Sequence, residues 1–139
     1  MMARKTNTPP RSLKGQSLVE FALTLPLLLL ILIGILDLGR ITATYVILEN
    51  AAREGARYGA THPGQTTGIT QRARAEASGS IVNSTQIQIT CDPSNCSGSL
   101  GSPLKVYASY PFTFITTYLF AGLNTLNIST NATFQIMSN

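Results

Sequence analysis

The segment Phe21–Leu36 (FALTLPLLLLILIGIL) runs for sixteen residues without a charge. Leu18 and Val19 lengthen it to nineteen positions, interrupted only by Glu20. As a helix, such a stretch rises about 28 Å, close to the thickness of a bilayer's hydrocarbon core. A helix apolar on every side can also be a buried core helix, but the roughly 100 residues that follow could hardly surround one. Charge gives the direction of insertion. The chain has 139 residues, with 10 Lys+Arg against 6 Asp+Glu, a formal charge of +4. Arg4, Lys5, Arg11 and Lys14 precede the apolar run with no acid among them, and the remainder is balanced. Bases before the run keep the N-terminus in the cytoplasm and send the C-terminal body outward. The basic character thus belongs to a short tag, not to a clustered positive face, and nucleic acid is not an expected partner.

Two kinds of processing compete. A secretory signal would be removed after a core of about 7–15 apolar residues, at a small-x-small site. Here the run is longer, and neither Asp37-Leu38-Gly39 nor Ile41-Thr42-Ala43 makes a good site. The alternative cut lies before the run, in Lys14-Gly15-Gln16-Ser17-Leu18-Val19-Glu20-Phe21. A short basic leader ends in Gly15, a carboxylate follows at the fifth residue after it, then an aromatic, then the span. This is the arrangement of a class III-type prepilin signal.

The stretch GQSLVEFALTLPLLLLILIGILDLGR, followed by ENAAREGARYGA at 49–60, resembles the TadE-like family, minor pilins or pseudopilins of the bacterial tight-adherence (Tad) pilus. The resemblance is carried by residues 15–60 and is architectural beyond them. It implies cleavage of the Gly15–Gln16 bond by a prepilin peptidase, with Glu20 at mature position five, Phe21 as the aromatic after it and Pro26 as the proline of the apolar stretch. It implies as partners the peptidase, other pilin-like subunits, an inner-membrane assembly platform and the lipid bilayer.

Glu20 asks for a reason of its own. A carboxylate in an apolar span costs roughly 2–3 kcal/mol on insertion scales, less near the interface. Cleavage at Gly15 would create an α-amine at Gln16, four residues before Glu20 and on the same helix face. The new cation can compensate the carboxylate, within one chain or between neighbours. The plainer reading is a Glu at the cytoplasmic interface that reaches water. Pro26 removes one helical hydrogen bond, which membrane helices tolerate.

The helix is expected to continue past the membrane, from about 17 to 60, because Leu38, Ile41, Tyr45, Leu48, Ala52 and Ala56 recur every three or four residues. Glu49–Arg53 and Glu54–Arg57 are spaced to support it, and Pro63-Gly64 to stop it. Ala51, Gly55 and Gly59 form a small-residue stripe, with Ala52, Ala56 and Ala60 beside it, which lets another backbone come close. The domain's own sheet and a second subunit are both candidate partners for it. Glu54 within Arg53–Arg57 could be read as a catalytic base, but no nucleophile, second carboxylate or metal cluster accompanies it. One His and two Cys cannot alone make a four-ligand zinc site. Phosphate-cradling glycine motifs do not occur. No enzyme activity and no cofactor is expected.

Residues 61–68 (THPGQTTG) read as a loop containing His62, and 69–83 as a second helix with Ile69, Ala73, Ala77 and Ile81 spaced by four. The period then changes to two at 86–91, 106–110 and 127–136, which marks strands. Ile87, Ile89, Cys91, Val106, Ala108, Tyr110, Ile128, Ala132, Phe134 and Ile136 should face the helices. The apolar segment Phe112–Phe120 could cap the sheet, meet the membrane or touch another subunit. On an oxidising exported side Cys91 and Cys96, bracketing Asp-Pro-Ser-Asn, are expected to form a disulfide. Four N-x-[ST] sequons, at Asn83, Asn95, Asn127 and Asn131, follow from a Ser/Thr/Asn-rich composition.

The expected fold is α+β: a basic leader at 1–15, a transmembrane part of the first helix at 16–37, and an exported domain at 38–139 with a second helix and a three-stranded antiparallel sheet. The expected role is a pilin-like subunit or assembly factor of a Tad-type pilus, at the bacterial inner membrane or in an extracellular pilus. The alternatives are an uncleaved, membrane-tethered binding or sensor domain and a membrane-anchored enzyme.

Overall fold

The computed structural model describes residues 15–118 and 125–137. The chain is α+β, a long helix against which a second helix and a small sheet pack. Helix α1 spans Gln16–Thr61, 46 residues, about 69 Å. It runs through Pro26. It ends at His62, whose amide donates to the Tyr58 carbonyl, just before Pro63 and a left-handed Gly64. Two ion pairs lie on its outer part: Arg53 with Glu49, and Arg57 with Glu54 through Nε and Nη2 at 2.9 and 2.8 Å.

Helix α2, Thr66–Glu76, is shorter than the periodicity suggests and starts sooner. Residues 66–68 join the helix instead of the loop. Gly68 lets them do so, because a Cβ there would stand 2.6 Å from the Tyr58 ring. At the other end, Gly79 takes a left-handed backbone and the Ser80 hydroxyl donates to the Ala77 carbonyl, which stops helical bonding. Ala77 stays buried, Ile81 is left 66% exposed, and Val82 turns inward in its place. A 3-10 turn at Ser84–Gln86, capped by the Asn83 side chain, leads into the sheet.

The sheet is an antiparallel meander in the order β1-β2-β3, with β1 at Gln88–Asp92, β2 at Pro103–Phe112 and β3 at Leu126–Gln135. The middle strand is twice the length its alternation implies, and it begins at Pro103 and carries Pro111 near its end. Proline cannot donate to a central ladder. Here β1 pairs only with Lys105–Ser109, so both prolines lie beyond it, where β2 is itself an edge. Across the rungs Leu104 faces Phe134, Val106 faces Ala132, and Ala108 faces Thr130. Leu104, Val106, Ala108, Ile128 and Ala132 are buried, Ile89, Cys91, Tyr110 and Phe134 partly so, and Ile136 is buried just past β3.

On α1 the packed face takes in Ile41, Leu48, Ala52 and Ala56 of the periodic residues but not Leu38 or Tyr45. It comprises Asp37, Thr44, Leu48, Ala51, Ala52, Gly55, Ala56, Gly59 and Ala60, with Ile41 partly buried. Leu38 and Tyr45 lie off it, 65% and 46% exposed. Gly55 and Gly59 touch the chain's own elements. A Cβ on Gly55 would meet Ala73, Ile69 and Val106 at 3.2–3.4 Å, and one on Gly59 would stand 2.5 Å from Leu104 and 2.9 Å from Ile69.

The disulfide Cys91–Cys96 forms, with Cα atoms 5.1 Å apart. The loop it closes follows the end of β1 that pairs with Lys105, beside the end of α1, and Gly64 donates to the Cys96 carbonyl at 2.8 Å.

Gly59→Val should destabilise the outer domain by roughly 1–3 kcal/mol, since Leu104 and Ile69 are fully buried and cannot swing clear. Gly39→Val, with nothing within 4 Å of its Cβ, should change stability little. Thermal melts of detergent-solubilised protein followed by near-UV circular dichroism report both. Removing the disulfide by Cys91→Ser with Cys96→Ser should cost about 2 kcal/mol by the same melts, because the closed loop is short.

Candidate membrane anchor and processing site

The first half of α1 projects from the body. Residues 15–32 are all exposed, and none of its most apolar window is covered by the rest of the described chain. Leu18, Phe21, Leu23, Leu27, Ile35 and Leu36 are each between 59% and 74% exposed. Leaving such a side chain in water instead of burying it costs about 1.5–3 kcal/mol. A helix of this length and composition is a membrane-span candidate.

Its entrance lies at Gly15–Gln16. Gly15 is the cap residue, and its carbonyl accepts from the Val19 amide at 3.1 Å. The Gln16 side-chain amide donates to Glu20 Oε1 at 3.2 Å. Residues 16 and 20 therefore meet on one face through the Gln16 side chain. Phe21 is 61% exposed on the adjoining position. Glycine at 15 has no conformational cause. Its φ of −92° suits any residue, and a Cβ there would find open space within 4 Å.

At the other end of the apolar run stands a residue the sequence reasoning passed over as a boundary. Asp37 is 3% exposed. Its Oδ1 accepts from the Ile115 amide at 3.0 Å and from Arg40 Nη1 at 2.9 Å. Its Oδ2 accepts from the Thr116 amide and hydroxyl at 3.2 and 3.3 Å. The carboxylate thereby holds the start of a 3-10 turn, Ile115–Tyr118, in the segment left unassigned from sequence. Residues 119 and 120 of that segment lie outside the described residues. Arg40 completes the joint: its guanidinium reaches the Thr113 carbonyl at 3.4 Å and lies over the Phe112 ring, 4.9 Å from the centroid. Phe112 is buried and meets Phe114 edge to face. The Asp37–Arg40 spacing was a usable signal, but the amides of Ile115 and Thr116, far away in sequence, were not.

The other candidate residues occupy ordinary structural places. Glu54 is paired with Arg57, and that hydrogen bond, opposed by partial burial and aided by the charges of Arg57 and Arg72, holds its carboxyl below the usual range. His62 stacks on Tyr58 at 4.4 Å between centroids. Ala51, Gly55 and Gly59 are within the α1–α2–sheet contact. Among the described residues no group of three or more His, Cys, Asp or Glu side chains is placed to hold a metal.

Asp37→Ala should free the 113–118 segment, at a cost of about 1–3 kcal/mol for the donors it leaves unpaired. Hydrogen exchange at the Ile115 and Thr116 amides should accelerate at least about tenfold, while the Val106–Ala132 ladder keeps its protection. Unchanged exchange at 115 and 116 would show that the carboxylate does not hold the turn.

No curated protein and no solved structure matches this chain. One family model does, that of TadE-like protein, over residues 15–57. Its span opens on Gly15, takes in the whole apolar run and Asp37, and ends at Arg57 on the packed outer half of α1. Over that stretch the chain is similar to the TadE-like family.

Proposed function

We propose that this protein is a pilin-like structural subunit or assembly factor of a Tad-type pilus. It is inserted with its N-terminus in the cytoplasm and its α+β body outside, trimmed after Gly15 by a prepilin peptidase, and packed through α1 with other pilin-like subunits at the inner-membrane assembly platform. The observation that carries the reading is the uncovered apolar half of α1, which begins at Gly15–Gln16, where the TadE-like match also begins. An exposed glycine that no torsion and no contact with the described residues requires fits selection by an enzyme. The bases of residues 1–14 supply the cytoplasmic retention that such an enzyme needs.

The physical sequence of events is short. In the bilayer the apolar face is satisfied by lipid, and in a helix bundle by neighbouring helices. Lateral transfer therefore exchanges one apolar solvent for another, and packing decides the balance. Glu20 is the exception, since an unpaired carboxylate is penalised when both water and headgroups are withdrawn. Cleavage adds a positive amine one turn before it, which offsets the penalty and favours the register in which the two charges meet. In this role α1 is the assembling element and the outer domain the presented one, supporting surface adherence.

Mass spectrometry of the mature chain should find Gln16 as the first residue with a free α-amine; a cyclised N-terminus would remove the cation proposed to meet Glu20. Gly15→Ala should block trimming. Glu20→Ala should be trimmed much as the parent yet fail to enter assemblies isolated from the cell surface. A chain that retains residues 1–15 while present in filaments contradicts the trimming, and one that retains them and never enters filaments favours a tethered domain that does not polymerise.

A further inference from the structure

We propose that the end of the outer domain nearest the anchor is itself a lipid-binding surface, formed by Leu38, Ile115 and Leu126, which rests on the outer face of the bilayer. The inference builds on the membrane-inserted reading and adds a second contact to the span.

Three elements bring these residues to one level. Leu38 follows Asp37 on α1, the Ile115 amide is hydrogen-bonded to Asp37, and Leu126 opens β3 opposite Phe112, the ring beneath Arg40. They are 65%, 37% and 45% exposed. The level is fixed by the helix. From Gln16 to Leu36 it rises about 31 Å, one hydrocarbon thickness, so with Glu20 near the inner interface the outer boundary falls at about residues 36–40. Leu38 and whatever is bonded to Asp37 then lie at headgroup depth, where an apolar side chain is stabilised by partial insertion.

Charge favours the same occupant. Residues 106–139 contain no Asp, Glu, Lys or Arg, so the part of the sheet that reaches this end brings no ion to be desolvated. Asp37 and Arg40, the charged residues of α1 at this level, neutralise one another at 2.9 Å. Leu38 extends the uncovered apolar face of α1, where Ile35 and Leu36 are also exposed, so the lipid that solvates the span reaches this level.

The chain has no Trp, which makes a single introduced indole a clean reporter. Four full-length variants are reconstituted separately in phosphatidylcholine vesicles with or without bromine on the upper acyl chain: Ile115→Trp, Leu126→Trp, Leu28→Trp within the span, and Ser94→Trp in the disulfide loop. Bromine should quench positions 115 and 126 about twofold, as for a side chain seated at the headgroup–acyl boundary. It should also quench position 28 and leave position 94 unchanged. If 28 is quenched but either 115 or 126 behaves like 94, the surface does not rest on lipid and the inference is overturned, while the anchor reading stands. The same holds if 115 and 126 emit as buried indoles indifferent to bromine, since protein then covers them. If 28 is also unquenched, the anchor reading fails and the inference with it. Using two positions on different elements separates lost contact from local misfolding of either one.

Discussion

One helix carries two kinds of surface, and the rest of the described chain is arranged around that constraint. The first half of α1, the candidate span, has large apolar residues on all sides and none of the described residues packed over it. The second half presents Ala51, Gly55 and Gly59 to Ile69, Ala73, Leu104 and Val106. Bulk would be favourable on the first half and would push α2 and the sheet away on the second. Close approach matters because the body is small and must bury a core with few large residues, and side chains no larger than a methyl let Leu48, Ile69, Ile87 and Leu104 reach full burial. The outer domain is thus built onto the helix and not beside it.

Much of this was legible in the sequence. An uninterrupted apolar run reads as a helix that faces lipid or lies in a core, and the residues after it are too few to enclose one; the change from a period near four to a period of two located the three described strands. The limits of elements were less legible, for local reasons. Gly79 and Ser80 ended α2 early although the spacing to Ile81 continued. Pro103 and Pro111 concealed the length of β2, because their tolerance depends on how far β1 reaches, a tertiary fact. Along α1 the periodic residues Ile41, Leu48, Ala52 and Ala56 do pack, but Leu38 and Tyr45 do not, because Asp37 and Thr44 take the buried positions beside them. Polar residues hid the stripe that small residues further along had already announced.

Asp37 shows why such a residue escapes pattern reading. Its partners are two backbone amides and a hydroxyl almost eighty positions away, and backbone amides have no sequence signature. A buried carboxylate is tolerable only when most of its lone pairs are used, and here four donors use them. Gly15 and Glu20 are the reverse case. Both stand out in the sequence against their neighbours, while the described contacts of Glu20 are local to its own helix and no torsion requires glycine at 15. Under the proposed function such a motif marks what acts on the chain, whereas Asp37 marks what the chain does to itself.

On the side of the sheet turned away from the helices, Gln88 and Thr90 of β1, Tyr107 and Ser109 of β2, and Asn127, Ser129, Asn131, Thr133 and Gln135 of β3 offer hydroxyls and amides. The residues there that carry a formal charge, Asp92 and Lys105, stand opposite one another in the outermost rung of β1 and β2 and sum to zero. Such a wall projects almost no electrostatic field, so salt has little to screen. Whatever meets it in brackish or dilute surroundings encounters the same short-range pattern of donors and acceptors.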